Sequence, residues 1–177
     1  KLGQISLAVT TLFWGAGATL QFIVLKWAEQ VLGLNLSQAA ILQAIVAVGI
    51  AFGAVYAASR VSLKGSLGVL PVGVAMGVIV ALASLYSRNT VPDGSVQLGM
   101  FTASYFVIIA CLILMVIGAL AGYFVVPMNA LLQHRGHVLM GAGRSIAVQN
   151  FNENIGILVM VGHYAVKIQG GVSFNTA

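Results

Sequence analysis

Charge is what this sequence is shortest of. Among its 177 residues only 6% are Asp, Glu, Lys or Arg, where a soluble domain carries about a quarter. So few charges cannot cover a surface that faces water, and they suffice only where most of the surface faces lipid. Acid is scarcest of all: Glu29, Asp93 and Glu153 stand against eight Lys and Arg, for a net charge of +5. A basic balance of that kind raises nucleic acid as a partner. The basic residues are nevertheless scattered singly and no basic stretch carries interleaved aromatics, so no nucleic-acid partner is expected. Basic residues beside anionic lipid headgroups account for them better. The single cysteine, Cys111, lies inside an apolar run and excludes an intrachain disulfide or a cysteine metal site. The charged, then apolar, then cleavable pattern of a signal peptide is missing. So is any long linker or low-complexity tract, and one domain over 1–177 is expected.

What is present is hydrocarbon. Sixty per cent of the residues are hydrophobic and the mean hydropathy is +1.03. A helix needs about 20 apolar residues to span a bilayer, and five runs meet that length: about 4–32, 37–59, 65–87, 99–133 and 143–166. The sequence therefore predicts an all-α integral membrane protein of five transmembrane helices. Trp27 follows Lys26 as an interfacial anchor would, and Asn35 and Ser37 are candidate caps for the second helix. Short polar connectors separate the runs at Arg60–Ser66, at Arg88–Ser95 with its turn residues Pro92, Asp93 and Gly94, and at His134–Arg144. With the first residue cytoplasmic, the inner side holds Lys1, Arg60, Lys64, Arg135 and Arg144, and the outer side Lys26, Arg88 and Lys167. The excess of basic residues inside favours that orientation. Many transporters repeat a three-helix unit with inverted topology. Five helices make one unit and two thirds of the next, as in a chain cut short after Gly170-Gly171-Val172-Ser173-Phe174.

The polar residues inside the runs are where chemistry is expected. Glu153 sits near the middle of the fifth run, where insertion scales charge about 2.5–3.5 kcal/mol for the related Asp. Gln149, Asn150, Asn152 and Asn154 surround it. Spacings of three and four place Gln149, Asn150, Glu153 and Asn154 on one helical side, with Asn152 pointing away. Such a group either lines a polar path or glues helices together. Gln21 is a second candidate, on the first run with Thr10, Thr11 and the small-residue stretch Trp14-Gly15-Ala16-Gly17; Gln43 on the second run is weaker. Asn129 follows Pro127, which with Gly118 and Gly122 gives the fourth run the means to bend. The third run has no strongly polar side chain in its middle, as befits a helix at the lipid edge. His134 and His137 lack a third ligand for a metal, and Gly141-Ala142-Gly143 follows no strand and lacks the lysine of a phosphate loop. No catalytic residue, metal or cofactor is expected. An intramembrane acyltransferase or hydrolase would need His134, His137 or His163 as base, with an orienting acid nearby; Glu153, the one acid expected to be embedded in the membrane, is far in sequence from His134 and His137.

Two stretches carry a family resemblance. One is Leu12-Phe13-Trp14-Gly15-Ala16-Gly17-Ala18-Thr19-Leu20. The other runs from Gly122-Tyr123-Phe124-Val125-Val126-Pro127-Met128-Asn129-Ala130-Leu131-Leu132-Gln133 through Arg135-Gly136 and Gly141-Ala142-Gly143 to Ile146-Ala147-Val148-Gln149-Asn150 and Glu153-Asn154. Together they resemble the bacterial lysophospholipid transporters of the major facilitator superfamily. The resemblance covers essentially the whole chain and the C-terminal half of the family's length. It implies a major facilitator-type helical bundle, with these helices as the seventh to eleventh of twelve and an N-terminal half-bundle as a missing partner. It also implies a flippase that carries lysophosphatidylethanolamine-type lipids across the bacterial inner membrane to the cytoplasmic leaflet, where an acyltransferase–acyl carrier protein synthetase, Aas, reacylates them. A general efflux transporter of small amphiphiles is the alternative; it would share the helix pattern but not the long matched stretch. On this reading Gln21, Asn129, Gln149, Asn150, Glu153 and Asn154 line the substrate path. Relatives carry an arginine where Gln21 stands, so phosphate pairing at that position is in doubt.

Overall fold

The computed structural model describes residues 2–92, 94–98 and 101–170. Asp93 of the expected turn, Gly99 at the expected start of the fourth span, and Gly171–Phe174 of the tail lie outside the described residues. Five long helices follow one another: α1 Leu2–Gln30, α2 Leu36–Arg60, α3 Leu70–Ala83, α4 Tyr105–Met140 and α5 Ala142–Gln169. A 3-10 segment, Leu63–Val69, leads into α3, with Pro71 in the first turn of α3 where its missing N–H is harmless. Among the described residues four stretches are long and apolar enough to cross a membrane: Gly3–Gln30, Leu36–Arg60, Leu63–Ala83 and Tyr105–Met140. The protein is thus an all-α, multi-pass membrane protein. The fifth expected span, α5, has the length at 28 residues, but its first half carries the Gln149–Asn154 polar group and lowers its apolarity.

The chain divides into two compact units, one comprising Val24–Pro127 and the other Lys1–Ile23 with Met128–Ala177. In the first of these, α1 ends on Gly33, whose φ of +66° suits glycine. The Leu34 N–H then reaches back to the Ala28 carbonyl at 3.0 Å, satisfying one of the carbonyls near the end of the helix. Asn35 caps α2 reciprocally with Gln38: each side chain accepts from the other's backbone N–H, at 2.9 and 3.0 Å. Around these turns Ala28, Leu32, Ala39, Leu42, Phe106, Ala110 and Leu114 form a buried cluster.

Further along, α2 and α4 meet backbone to backbone. Gly49 and Gly53 stand against Met115 and Ala119, while Gly118 and Gly122 stand against Val46 and Ile50. A Cβ on Gly122 would lie 2.8 Å from the Ala54 nitrogen, so nothing larger than glycine fits. Each helix thus presents a G-x-x-x-G pair to the other. Gly118 and Gly122, read from sequence as bending points, here have a packing role. Phe124 fills the space beside Gly73 and holds α3 to α4. No side chain of α3 is fully buried, as its uniform apolarity implied.

Two features depart from the expected boundaries. Residues before α4 form a short antiparallel hairpin, β1 Ser95–Leu98 with β2 Phe101–Ser104, paired Ser95 to Ser104 and Val96 to Ala103. Alternation over so few residues leaves no periodic signal. And His134–Met140, expected in a connector, continues α4, leaving Gly141 alone between α4 and α5. Its φ of +83° reverses the chain in one residue, which glycine permits.

Candidate functional site

The second unit brings the first part of α1, the last part of α4, and α5 together. Its interior mixes small and polar groups with the buried Met128, Leu131 and Leu132. Ser6, Thr10, Ser145 and Gln149 are buried, and the Ser6 hydroxyl donates to the Met128 carbonyl at 2.8 Å. Gly136 of α4 lies against Ser145 of α5, just past the Gly141 turn. On the other side α1 and α5 cross at Gly15 and Gly156. A Cβ on Gly15 would stand 2.8 Å from the Gly156 carbonyl oxygen, and one on Gly156 would stand 2.8 Å from the Thr11 methyl. Sequence reasoning missed Ser6: a lone serine in an apolar run gives no sign of the carbonyl it will meet 122 residues away.

Between α4 and α5 sits one polar constellation. The Gln149 side-chain amide donates to Glu153 Oε1 at 2.9 Å and to Asn129 Oδ1 at 3.4 Å. Gln149 is buried at 7% exposure, and Asn129 and Glu153 are half-buried. Gln149 and Glu153 are one turn apart on α5 and share a side. Asn129 comes from α4, placed there by the one-residue reversal at Gly141. Both protons of the Gln149 amide are used, so it is held in one orientation. The Asn129 amide nitrogen and the second Glu153 oxygen have no hydrogen bond among the described residues. A donor and an anionic acceptor are therefore left beside each other for something else. That pair suits a zwitterion: the amide N–H for a phosphate or hydroxyl oxygen, the carboxylate for an ammonium.

The remaining expected residues lie elsewhere. Asn150 and Asn154 are exposed on the next side of α5, and Asn154 turns its amide onto the Asn150 backbone carbonyl at 2.7 Å. Asn152 does the same to Val148 at 2.8 Å. Gln21 is exposed on α1. Thr11 Oγ1 and Tyr164 Oη are enclosed with no hydrogen-bond partner among the described residues, on the two helices that cross at Gly15 and Gly156. His134 and His137 are exposed on the last turns of α4, and no cluster of metal-ligating side chains occurs among the described residues.

A membrane protein of long helices with a polar group held between two of them is the class that fold and site define. The sequence comparison is more particular. The chain is 43% identical over 169 residues to lysophospholipid transporters LplT of Yersinia pestis and Yersinia pseudotuberculosis, and the match covers 95% of the chain. At that identity over that span, the chain is homologous to these transporters. It spans 37% of their length. No family model matches the chain, and no solved structure does.

Proposed function

We propose that this chain is part of a lysophospholipid transporter, a flippase that moves lysophosphatidylethanolamine-type lipids across the bacterial inner membrane for reacylation. The observation that carries the reading is the match along nearly the whole chain to transporters of that name. On this reading the chain is one transmembrane half-bundle of a major facilitator-type protein, α5 is its fifth span, and its first residue is cytoplasmic. The rest of the bundle is its partner in the same transporter, and an acyltransferase–acyl carrier protein synthetase takes up the product. The role is transport, with no bond made or broken.

The Asn129–Gln149–Glu153 group gives the reading its chemistry. A headgroup crossing hydrocarbon needs replacement for its lost water, since an unpaired buried polar group costs several kcal/mol, roughly 2–7 by reference state. Glu153 offers its second oxygen to the ethanolamine ammonium, and Asn129 its amide to an oxygen of the phosphate or glycerol. Gln149 touches no substrate in this scheme; it positions the other two. Gln21, Asn150 and Asn154, on other sides of their helices, extend the polar path, while the acyl tail stays against apolar surface.

The test is uptake of labelled lysophosphatidylethanolamine in cells that lack their own transporter and keep the reacylating enzyme. The full-length protein should convert label to diacyl lipid. Glu153→Gln, which keeps an acceptor for Gln149 but removes the charge, should abolish conversion at unchanged protein level. A correctly inserted full-length protein that converts nothing would sink the lysolipid assignment.

A further inference from the structure

Four hydroxyls stand along α1, on Ser6, Thr10, Thr11 and Thr19. Thr10 and Thr19 donate to carbonyls of their own helix, Leu7 at 3.1 Å and Gly15 at 3.0 Å, as hydroxyls in helices commonly do. Among the described residues Ser6 alone of the four donates to another helix, reaching the Met128 carbonyl of α4 at 2.8 Å. Ser6 and Met128 are both 0% exposed, so the bond is sealed by this chain's own packing. It falls at a particular point of α4. Pro127 has no N–H, so one rung of the helix is missing immediately before Met128. The Met128 carbonyl belongs to the same rigid peptide unit as the Asn129 nitrogen, and Asn129 is the α4 member of the polar group with Gln149 and Glu153. The Asn129 side chain is itself held loosely. The Gln149 amide reaches it at 3.4 Å, against 2.9 Å to Glu153, and a good N–H···O bond spans about 2.7–3.2 Å. Of the two side-chain links that hold the Asn129 position, the one from Ser6 is the shorter and the better shielded.

We propose that Ser6 is a positioning residue of the headgroup site: by holding the Met128–Asn129 peptide, its hydroxyl sets where the Asn129 amide stands beside Glu153. Ser6 is enclosed and touches no substrate. The inference rests on the transport reading, since it takes Asn129 and Glu153 as the groups that meet the headgroup. A donor and a carboxylate that receive one zwitterion act together only while their spacing matches it, to within about 0.5 Å. Asn129 hangs from α4 and Glu153 from α5, so that spacing depends on how firmly each root is placed. Without the Ser6 hydroxyl, Asn129 keeps its chemistry and loses a fixed root. The loss appears as weaker headgroup binding, not as slower movement of lipid already bound. Thr10 supplies the contrast. It is as buried as Ser6, at 0% exposure, but its hydroxyl bonds only its own helix.

The test is uptake of labelled lysophosphatidylethanolamine by the full-length protein, in cells that lack their own transporter and keep the reacylating enzyme, with half-saturating concentration and maximal rate measured separately. Ser6→Ala should raise the half-saturating concentration about threefold, the factor equivalent to an average hydrogen bond between membrane helices of about 0.6 kcal/mol. The maximal rate per inserted protein should not change. Thr10→Ala, which removes an equally buried hydroxyl, should leave the half-saturating concentration as it is. In an Asn129→Ala background Ser6→Ala should change nothing further, because a residue that acts through Asn129 has nothing left to place. Should Ser6→Ala fail to insert, Ser6→Cys keeps the volume with a weaker donor and should shift the half-saturating concentration in the same direction. Three results would each overturn the inference: a fall in maximal rate alone for Ser6→Ala, an equal rise for Thr10→Ala, or a Ser6 effect undiminished without the Asn129 amide. An unaltered protein that takes up no lysophosphatidylethanolamine would overturn the transport reading and this inference with it. Normal uptake that is indifferent to Ser6→Ala would overturn this inference alone.

Discussion

Glu153 is a carboxylate held by a buried amide, and that amide is the residue to alter. Gln149→Leu would keep the volume and remove both hydrogen bonds, leaving Asn129 and Glu153 to find other partners. Hydrogen bonds between membrane helices average about 0.6 kcal/mol and reach about 1.7, so the stability loss should be of that order. Transport should fall further than stability, because both groups proposed to face the substrate lose their orientation. Uptake normalised to inserted protein, beside thermal unfolding in detergent, separates the two effects. Asn154→Ala is the contrasting case. Its amide bonds its own helix backbone at an exposed position, so stability should change by less than about 0.5 kcal/mol. A large loss for Asn154→Ala would show that this residue, and not the Gln149 group, faces a partner.

At the scale of elements, glycine does the positioning. Helices α2 and α4 approach until backbone meets backbone at Gly49, Gly53, Gly118 and Gly122. Gly53→Leu would force a branched side chain against the Ala119 backbone. Overpacking a well-packed site costs typically about 1–3 kcal/mol, and here the obstacle is backbone, which cannot rotate away. The expected result is loss of folded protein, read as a drop in monodisperse material on size exclusion. Gly77→Leu on α3, where a Cβ meets nothing within 4 Å, should be tolerated. The glycines were visible in the sequence, but their partners were not. The spacing of Gly118 and Gly122 fits a bend as well as a contact, and only the position of α2 separates the two.

For the whole molecule, the proposed topology sets which loops share a side of the membrane. In a Cys111→Ala background, single cysteines at Ser62 and Ala142 should be labelled by an impermeant thiol reagent only from the cytoplasmic side. One at Asn89 or Gln169 should be labelled only from the outer side. Labelling of positions 142 and 169 from the same side would show that α5 does not cross, and with it the five-span arrangement would fail.

The class of the protein was fixed by composition alone: 6% charge and long apolar runs admit no water-facing globule, because hydrophobic burial and the need to satisfy backbone groups in lipid leave only helices or closed barrels. The sequence also marked the start of α2 at Asn35, since caps are local chemistry, and it singled out Gln149, Glu153 and Asn129, since polar groups in apolar runs are conspicuous. It could not say that Gln149 joins the other two while Asn150 and Asn154 stand apart. That division depends on which side of α5 meets α4, which the single reversal at Gly141 decides. Nor could it find the 95–104 hairpin or Ser6, whose partners come from backbone placement. Patterns along a chain record what each residue prefers; which residues meet is decided by helices that contact one another far apart in sequence.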